Sequence, residues 1–318
     1  LFKITITAAS KKMESIFTQN EVESRRGAAP HDAAGVILLR GRADGPYELL
    51  LMRRNRNQAF MGGAFVFPGG HRDEADSDPA LAPFIGGLSP ADARRLLQEP
   101  DIPETIALGL FMAAIRETFE EAGILLARDL AGRPAALADP DTAARFAVYR
   151  RELHEGRLSL AEMARRENLR YAPDLLIPYS HWITPEGEPR RFNARFFLAQ
   201  FPEGQVAVHD RMELTESRWL TPAAALAEQA AGRIVLMPPT LKTIEELLAF
   251  SDSDELLAAA RSQRIRTTLP EVFRTADSFG IRFPNDAEYS LTDRRLPARS
   301  GETTRVVMKD GFWKPLAL

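Results

Sequence analysis

The sequence predicts an α+β domain, on three observations. Short apolar runs with strand composition flank one long segment of helical periodicity. That helical segment bunches its carboxylates at one end. Further helical material is inserted between the strands without strict strand–helix alternation, which points to layers of helix and sheet.

Taken in order, residues 1–32 are polar and read as a flexible arm. Residues 33–318 read as one domain, with a C-terminal extension beginning near residue 251. Ala33 to Arg40 and Tyr47 to Arg53 are apolar runs joined by a turn rich in Gly, Asp and Pro, the pattern of two strands. Ala64 to Phe67 is a third strand, closed by Pro68-Gly69-Gly70. Residues 71–103 are rich in Asp, Pro, Ala and Gly, with a helical piece over Pro90 to Gln98. Thr105 to Ala122 has apolar residues at Ile106, Leu110, Ala113, Ala114 and Phe119, and Gly123 stands where such a helix stops. Residues 127–180 read as mostly helical, and Arg191 to Phe201 as a strand. Thr221-Pro222 opens an Ala-rich helix, and Pro239 to Phe250 reads as a helix capped by Thr240. Thr303 to Met308 has strand composition.

Composition narrows the function. Hydrophobic residues are 45% and charged residues 27% of the 318, an ordinary globular balance. Lys+Arg 41 against Asp+Glu 44 leaves a net charge of −3, so nothing supports nucleic-acid binding through bulk charge. No cysteine is present, which removes disulfides, zinc–thiolate sites and cysteine nucleophiles together and suits a reducing cytoplasm. No apolar run approaches the ~18 residues that cross a membrane. No secretory leader is expected at Leu1 to Met13, and Met13 is read as the natural start.

The stretch Arg116-Glu117-Thr118-Phe119-Glu120-Glu121-Ala122-Gly123-Ile124 carries the chemistry. Glu117, Glu120 and Glu121 stand at i, i+3 and i+4 and share one helix face. They repel one another and, near a helix C-terminus, oppose the macrodipole. Oxygen donors bunched in this way suit Mg²⁺ or Mn²⁺; the other reading is a solvated acidic face. Gly69-Gly70 ends a strand where backbone can approach a ligand closely, or simply turns the chain.

Together the two pieces resemble the Nudix signature: Gly, five residues, Glu, seven residues, then Arg-Glu-apolar-any-Glu-Glu-any-Gly-apolar. Arg116, Glu117, Glu120, Glu121, Gly123 and Ile124 fall in register, with Thr118 in the apolar slot. Gly70 opens the first half, but Asp76 stands where Glu is expected. Thirty-nine residues separate Asp76 from Arg116 instead of seven, an insertion of 32. A box interrupted here resembles the acyl-coenzyme A diphosphatase branch of the family. Leu49 to Gly70, His181 to Pro185, Arg190 to Phe197 and Trp219 to Pro222 are similar to that branch as well.

The resemblance implies a Nudix α/β/α sandwich with a helical insertion at residues 77–108 and extra helical segments. It implies hydrolysis of the diphosphate in coenzyme A or acyl-coenzyme A, giving 3′,5′-ADP and (acyl-)4′-phosphopantetheine, with Mg²⁺ or Mn²⁺ as cofactor. Alternatives are a Nudix diphosphatase for ADP-ribose, NADH or a dinucleoside polyphosphate, and a non-catalytic nucleotide-binding module. In the implied site, Glu120 and Glu121 are the principal metal ligands and Glu117 a further ligand or the general base. The Gly69 carbonyl completes the metal site, Gly70 lies against substrate, and Arg116 orients the carboxylates. Glu213 and Glu216 are candidates for a base or extra ligand on a later loop. Arg53, Arg54 and Arg56 are candidates for a substrate phosphate. The expected partner is a nucleoside diphosphate-linked small molecule, with no nucleic acid and no membrane. The inserted segment is expected to be dispensable for folding; an insertion that mainly makes a protein interface is a further alternative, and a homodimer is a separate expectation.

Overall fold

The computed structural model describes residues 29–42, 45–57, 61–186, 188, 190–210, 212–274, 279–298, 301–309 and 311–316. The predicted arm therefore lies outside the described residues up to residue 28. In chain order the elements are β1 (His31–Arg42), β2 (Gly45–Arg54), β3 (Phe65–Val66), β4 (Gly69–His71), α1 (Pro90–Leu97), α2 (Glu104–Ala122), β5 (Ala127–Arg128), α3 (Pro140–His154) and α4 (Leu160–Glu167). They continue with β6 (Arg170–Tyr171), β7 (Ile177–Ile183), β8 (Phe192–Gln200), β9 (Leu214–Leu220), α5 (Pro222–Ala230), α6 (Pro238–Leu247) and α7 (Ser253–Ser262). Last come β10 (Thr267–Thr268), β11 (Glu271–Arg274), β12 (Phe279–Arg282), β13 (Arg305–Lys309) and β14 (Phe312–Leu316).

A mixed sheet in the order β10-β7-β8-β1-β2-β3 separates two cores. β1 runs parallel to β8 from His31↔Phe192 to Leu39↔Gln200. A strand covered on both faces reads as an unbroken apolar run, and Ala33 to Leu39 is one. Its alternate side chains divide: Val36 and Leu38 join α1 to α4 on one face, while Ile37 and Leu39 join α5 to α7 on the other. The second core continues into the separate sheet β11-β12-β13-β14 through Phe279, Ile281, Val306 and Trp313. The expected α+β sandwich is therefore observed, and its C-terminal extension is part of the core.

β1 and β2 pair only near their hairpin, at Leu39↔Leu49, Arg40↔Glu48 and Arg42↔Gly45. Beyond it they part. β3 takes the freed edge of β2 and β4 that of β1. The ribbon 65–71 fills the gap, held by Val36 N–H donating to the Pro68 carbonyl at 2.9 Å. This seats Gly69 and Gly70 beneath the last turns of α2.

Four expectations change. β9 pairs with β2 where a loop was expected before Trp219. β7 and β8 form a hairpin inside and beyond the segment read as helical. Thr240 is a buried residue within α6, whose N-cap is Met237. Most consequentially, the inserted segment is not a detachable excursion. Leu81, Ala93 and Leu97 are buried in the first core, and α2 already begins at Glu104. Glu99 forms a two-pronged ion pair with Arg195 at 2.6 and 2.9 Å, and Arg195 is itself buried in the sheet. Leu97→Ala is expected to cost about 2–5 kcal/mol in urea unfolding, as in other cores. A cost below about 0.5 kcal/mol, the scale of surface changes, would restore the excursion reading.

Candidate active site

α2 is buried along most of its length and ends at Gly123, whose φ of 70° is a left-handed cap that glycine adopts without strain. The last turns bring Glu117 and Glu121 against the ribbon and hold Glu120 beside Arg116. Gly69 N–H donates to Glu121 Oε2 at 2.7 Å. A β-carbon on Gly69 would stand 2.4 Å from the Ala34 carbonyl oxygen, and one on Gly70 2.5 Å from Glu117 Oε1. Gly69 lets the ribbon lie against the β1 backbone, and Gly70 makes room for the Glu117 carboxylate.

Arg116 is the hub. Its Nε and Nη2 bind Asp76 Oδ1 and Oδ2 at 2.8 and 2.9 Å. Its Nη1 donates to Glu117 Oε1 at 2.8 Å, and Nη2 also donates to the His71 carbonyl. Asp76 is buried and accepts the Asp73 N–H as well. The residue that departs from the signature thus locks Arg116, which locks Glu117. Such planar two-pronged pairs fix geometry as well as charge.

The cluster is short of positive charge. Burial pushes the Glu120 carboxyl up to about 7, against the pull of Arg116. Burial drives Glu121 well above the carboxylate range, with Glu117 adding to the push and the Gly69 N–H opposing it. Burial also raises Glu117, again against Arg116. Among the described residues no group of three Asp, Glu or His side chains converges to hold an ion. Each carboxylate leans elsewhere: Glu121 on Gly69, Glu117 on Arg116, and Glu120 between Arg116 at 3.7 Å and His154 at 3.9 Å. By chemistry the set still fits a hard cation, because every side chain in it is an oxygen donor whose charge burial leaves poorly compensated.

The sheet sorts the remaining candidates. Along β2, Leu50 and Met52 face α2 while Leu49 and Leu51 face the second core. Arg54 continues the first series and acts electrostatically on Glu121; among the described residues its buried Nε has no hydrogen-bond partner. Arg53 continues the second series and pairs with Glu216 at 3.1 Å on the far face. Arg53 and Glu216 are therefore not brought to the carboxylates. Arg56 lies exposed in the turn after β2. Glu213, just before β9, acts on Glu121 and is held by Asn55 N–H donating to its carbonyl at 2.7 Å. His181 sits in a buried network with Asn193 and Thr267, and Phe65 and Phe67 are core. Phe60 lies outside the described residues.

The family model for the NUDT19 Nudix domain matches residues 28–247. The chain belongs to the NUDT19 Nudix family. A human relative named acyl-coenzyme A diphosphatase NUDT19 is 30% identical over 300 residues, covering 83% of this chain and 79% of that one. The Xenopus laevis protein of the same name is 29% identical over 311 residues, covering 86% and 80%. Among solved structures, a NUDIX hydrolase from Alicyclobacillus acidocaldarius shares the fold, with a TM-score of 0.57 at 23% identity over 74% of this chain and 97% of that one. This NUDT19 Nudix chain is thus a Nudix hydrolase, with its split box reassembled in space: Gly70 and Asp76 from one side of the insertion meet Arg116 and Glu117 from the other.

Two groups at the site were missed. His154 and Arg150, one turn apart on α3, both reach the end of α2. They lie in a segment whose sequence marks neither. Arg54 could have been separated from Arg53 by period-two counting from Leu50 and Met52.

Proposed function

We propose that this NUDT19 Nudix hydrolase cleaves the diphosphate of coenzyme A or acyl-coenzyme A, using Mg²⁺ or Mn²⁺. The observation that carries the reading is the meeting of Glu117 and Glu121 with the Gly69-Gly70 ribbon, with Glu120 beside them at Arg116 and an Arg54 nitrogen that lacks a partner among the described residues. A module that only bound nucleotide would have no use for so costly a set of buried carboxylates. The relatives named acyl-coenzyme A diphosphatase support the substrate.

Glu120 and Glu121, with the Gly69 carbonyl, would hold the cation. When bound, it supplies neutralisation of the diphosphate charge and activation of water. Glu117 serves as a further ligand or as the base, and Glu213 is the second candidate for the base. Arg116 holds Glu117 in one rotamer. Arg54 and Arg56 offer guanidinium donors to phosphate oxygens, with the Gly70 backbone alongside. Water adds across the anhydride, one oxygen ending on each phosphate, to give 3′,5′-ADP and (acyl-)4′-phosphopantetheine.

A panel of coenzyme A, acyl-coenzyme A, dephospho-coenzyme A, ADP-ribose and NADH with each metal, products read by mass, tests the assignment. Faster cleavage of ADP-ribose or NADH than of coenzyme A would remove the substrate while leaving the Nudix chemistry. Dephospho-coenzyme A is expected to be poorer by about ten- to a hundred-fold in kcat/KM, the worth of one charge-assisted contact. Arg54→Ala or Arg56→Ala should erase that preference. Arg53→Ala should not, because its side chain lies across the sheet.

The cysteine-free composition supports a cytoplasmic setting. The described residues contain no helix long and apolar enough to cross a membrane. The proposed partner is the nucleotide, without nucleic acid or membrane. The inserted segment spends Leu81, Ala93 and Leu97 inside its own chain, which weakens the case for a protein interface built on it. Solution mass tests the homodimer.

A further inference from the structure

A helix leaves its last four carbonyls without intrahelical donors. All four are satisfied at the end of α2 by protein donors. The Phe119 carbonyl accepts from Gly123 N–H at 2.9 Å, and the Ala122 carbonyl from Val208 N–H at 2.8 Å. The two between them, Glu120 and Glu121, accept from Nε and Nη2 of one side chain, Arg150, both at 2.5 Å. The third nitrogen of that guanidinium, Nη1, donates to the Val208 carbonyl at 2.7 Å. Arg150 belongs to α3 and approaches from outside the signature altogether.

We infer that Arg150 is a positioning residue for the ion-binding turn. It fixes the backbone of the two residues proposed as principal ligands, and it ties that turn to the loop leading to Glu213. The chain of contacts is continuous. From Val208 the loop reaches Asp210, whose carboxylate accepts the N–H groups of Met212, Glu213 and Leu214 at 2.9–3.1 Å. The guanidinium also sets a positive charge at the negative end of α2, where three carboxylates would otherwise oppose the macrodipole unaided. Lysine could keep the charge but not hold three carbonyls from one planar group. The inference rests on the carboxylate helix being the ion-binding element, and on no particular nucleotide.

The test compares the parent protein with R150Q, R150K and R151Q, Arg151 being an exposed neighbour on the same helix. Mn²⁺ binding is measured by calorimetry without nucleotide, alongside thermal unfolding and the kcat and KM for coenzyme A. Residues that orient metal ligands typically govern metal affinity or activity by about 10–100-fold. R150Q is expected to weaken Mn²⁺ binding and lower kcat within that range, with KM changed by less than about threefold. R150K should show the same losses at the lower end of the range, and R151Q should match the parent. A residue that only supported the fold would lower the melting temperature and leave the Mn²⁺ midpoint in place. If R150Q does not fold, the Mn²⁺ midpoint of R150K decides. A parent that binds no Mn²⁺ overturns the ion-binding reading and this inference with it. A parent that binds Mn²⁺ while the folded Arg150 variants match it overturns this inference alone.

Discussion

Glu121→Gln and Glu120→Gln are each expected to lower kcat/KM by about a thousand-fold or more, roughly 4 kcal/mol of barrier, while the fold gains stability at neutral pH. The first half follows from the removal of a charged oxygen donor. The second follows from burial. A carboxylate whose affinity for its proton rises on folding favours the folded state at low pH. That contribution is lost as pH rises through the folded value. For Glu120 the window runs from the ordinary carboxylate range up to about 7. Glutamine never ionises, so the variant escapes the loss. Glu120→Gln should match the parent near pH 4.5 and exceed it near pH 8 in metal-free urea unfolding. Glu121→Gln keeps an acceptor for the Gly69 N–H and should behave likewise, since burial raises Glu121 as well. Adding Mg²⁺ or Mn²⁺ should stabilise the parent above pH 7 and do less for either variant. Near-parental turnover in both would place the metal elsewhere.

That gain in stability on loss of activity is the pattern expected where charge is held for function. It also shows why the site was legible in the sequence. Three carboxylates on one helix face near its C-terminus conflict with helix electrostatics, so their spacing alone raised a question that stability could not answer. Gly123, as a left-handed cap, and Gly69-Gly70, as a place for close approach, were legible for the same reason: each permits something that other residues forbid. What could not be read is what depends on distance in space. Asp76 stood in register but with the wrong length, and only the fold shows it gripping Arg116. Arg150 lies far along the chain in a helix of ordinary composition. The inserted segment scatters its apolar residues among Pro, Gly and Asp, and nothing local revealed that Leu81, Ala93 and Leu97 point into the core. β9 escaped because Glu216 and Arg218, on its far face, made the strand look like a charged loop.

The Arg116–Asp76 pair should show the largest single effect on stability. Arg116→Ala would leave Asp76 and Glu117 buried beside each other without their shared counter-charge. Breaking a buried pair from one side typically costs about 3–5 kcal/mol, because the remaining charge stays desolvated. Asp76→Ala should cost less, since the guanidinium would keep Glu117 at 2.8 Å, the His71 carbonyl at 2.9 Å, and Asp73 and Glu120 at 3.6 and 3.7 Å. The double replacement should fall short of the sum of the singles by more than about 1 kcal/mol, as expected for residues sharing one network. Activity separates the two roles. Asp76→Ala should keep a measurable fraction of kcat, because Arg116 can still hold Glu117, whereas Arg116→Ala frees Glu117 from its fixed rotamer. Metal-free urea unfolding of the four proteins, with kcat measured beside it, tests the scheme. Additive costs, each under about 1 kcal/mol, would mean that the pair is solvated and that Asp76 merely occupies the place where the family signature has its glutamate.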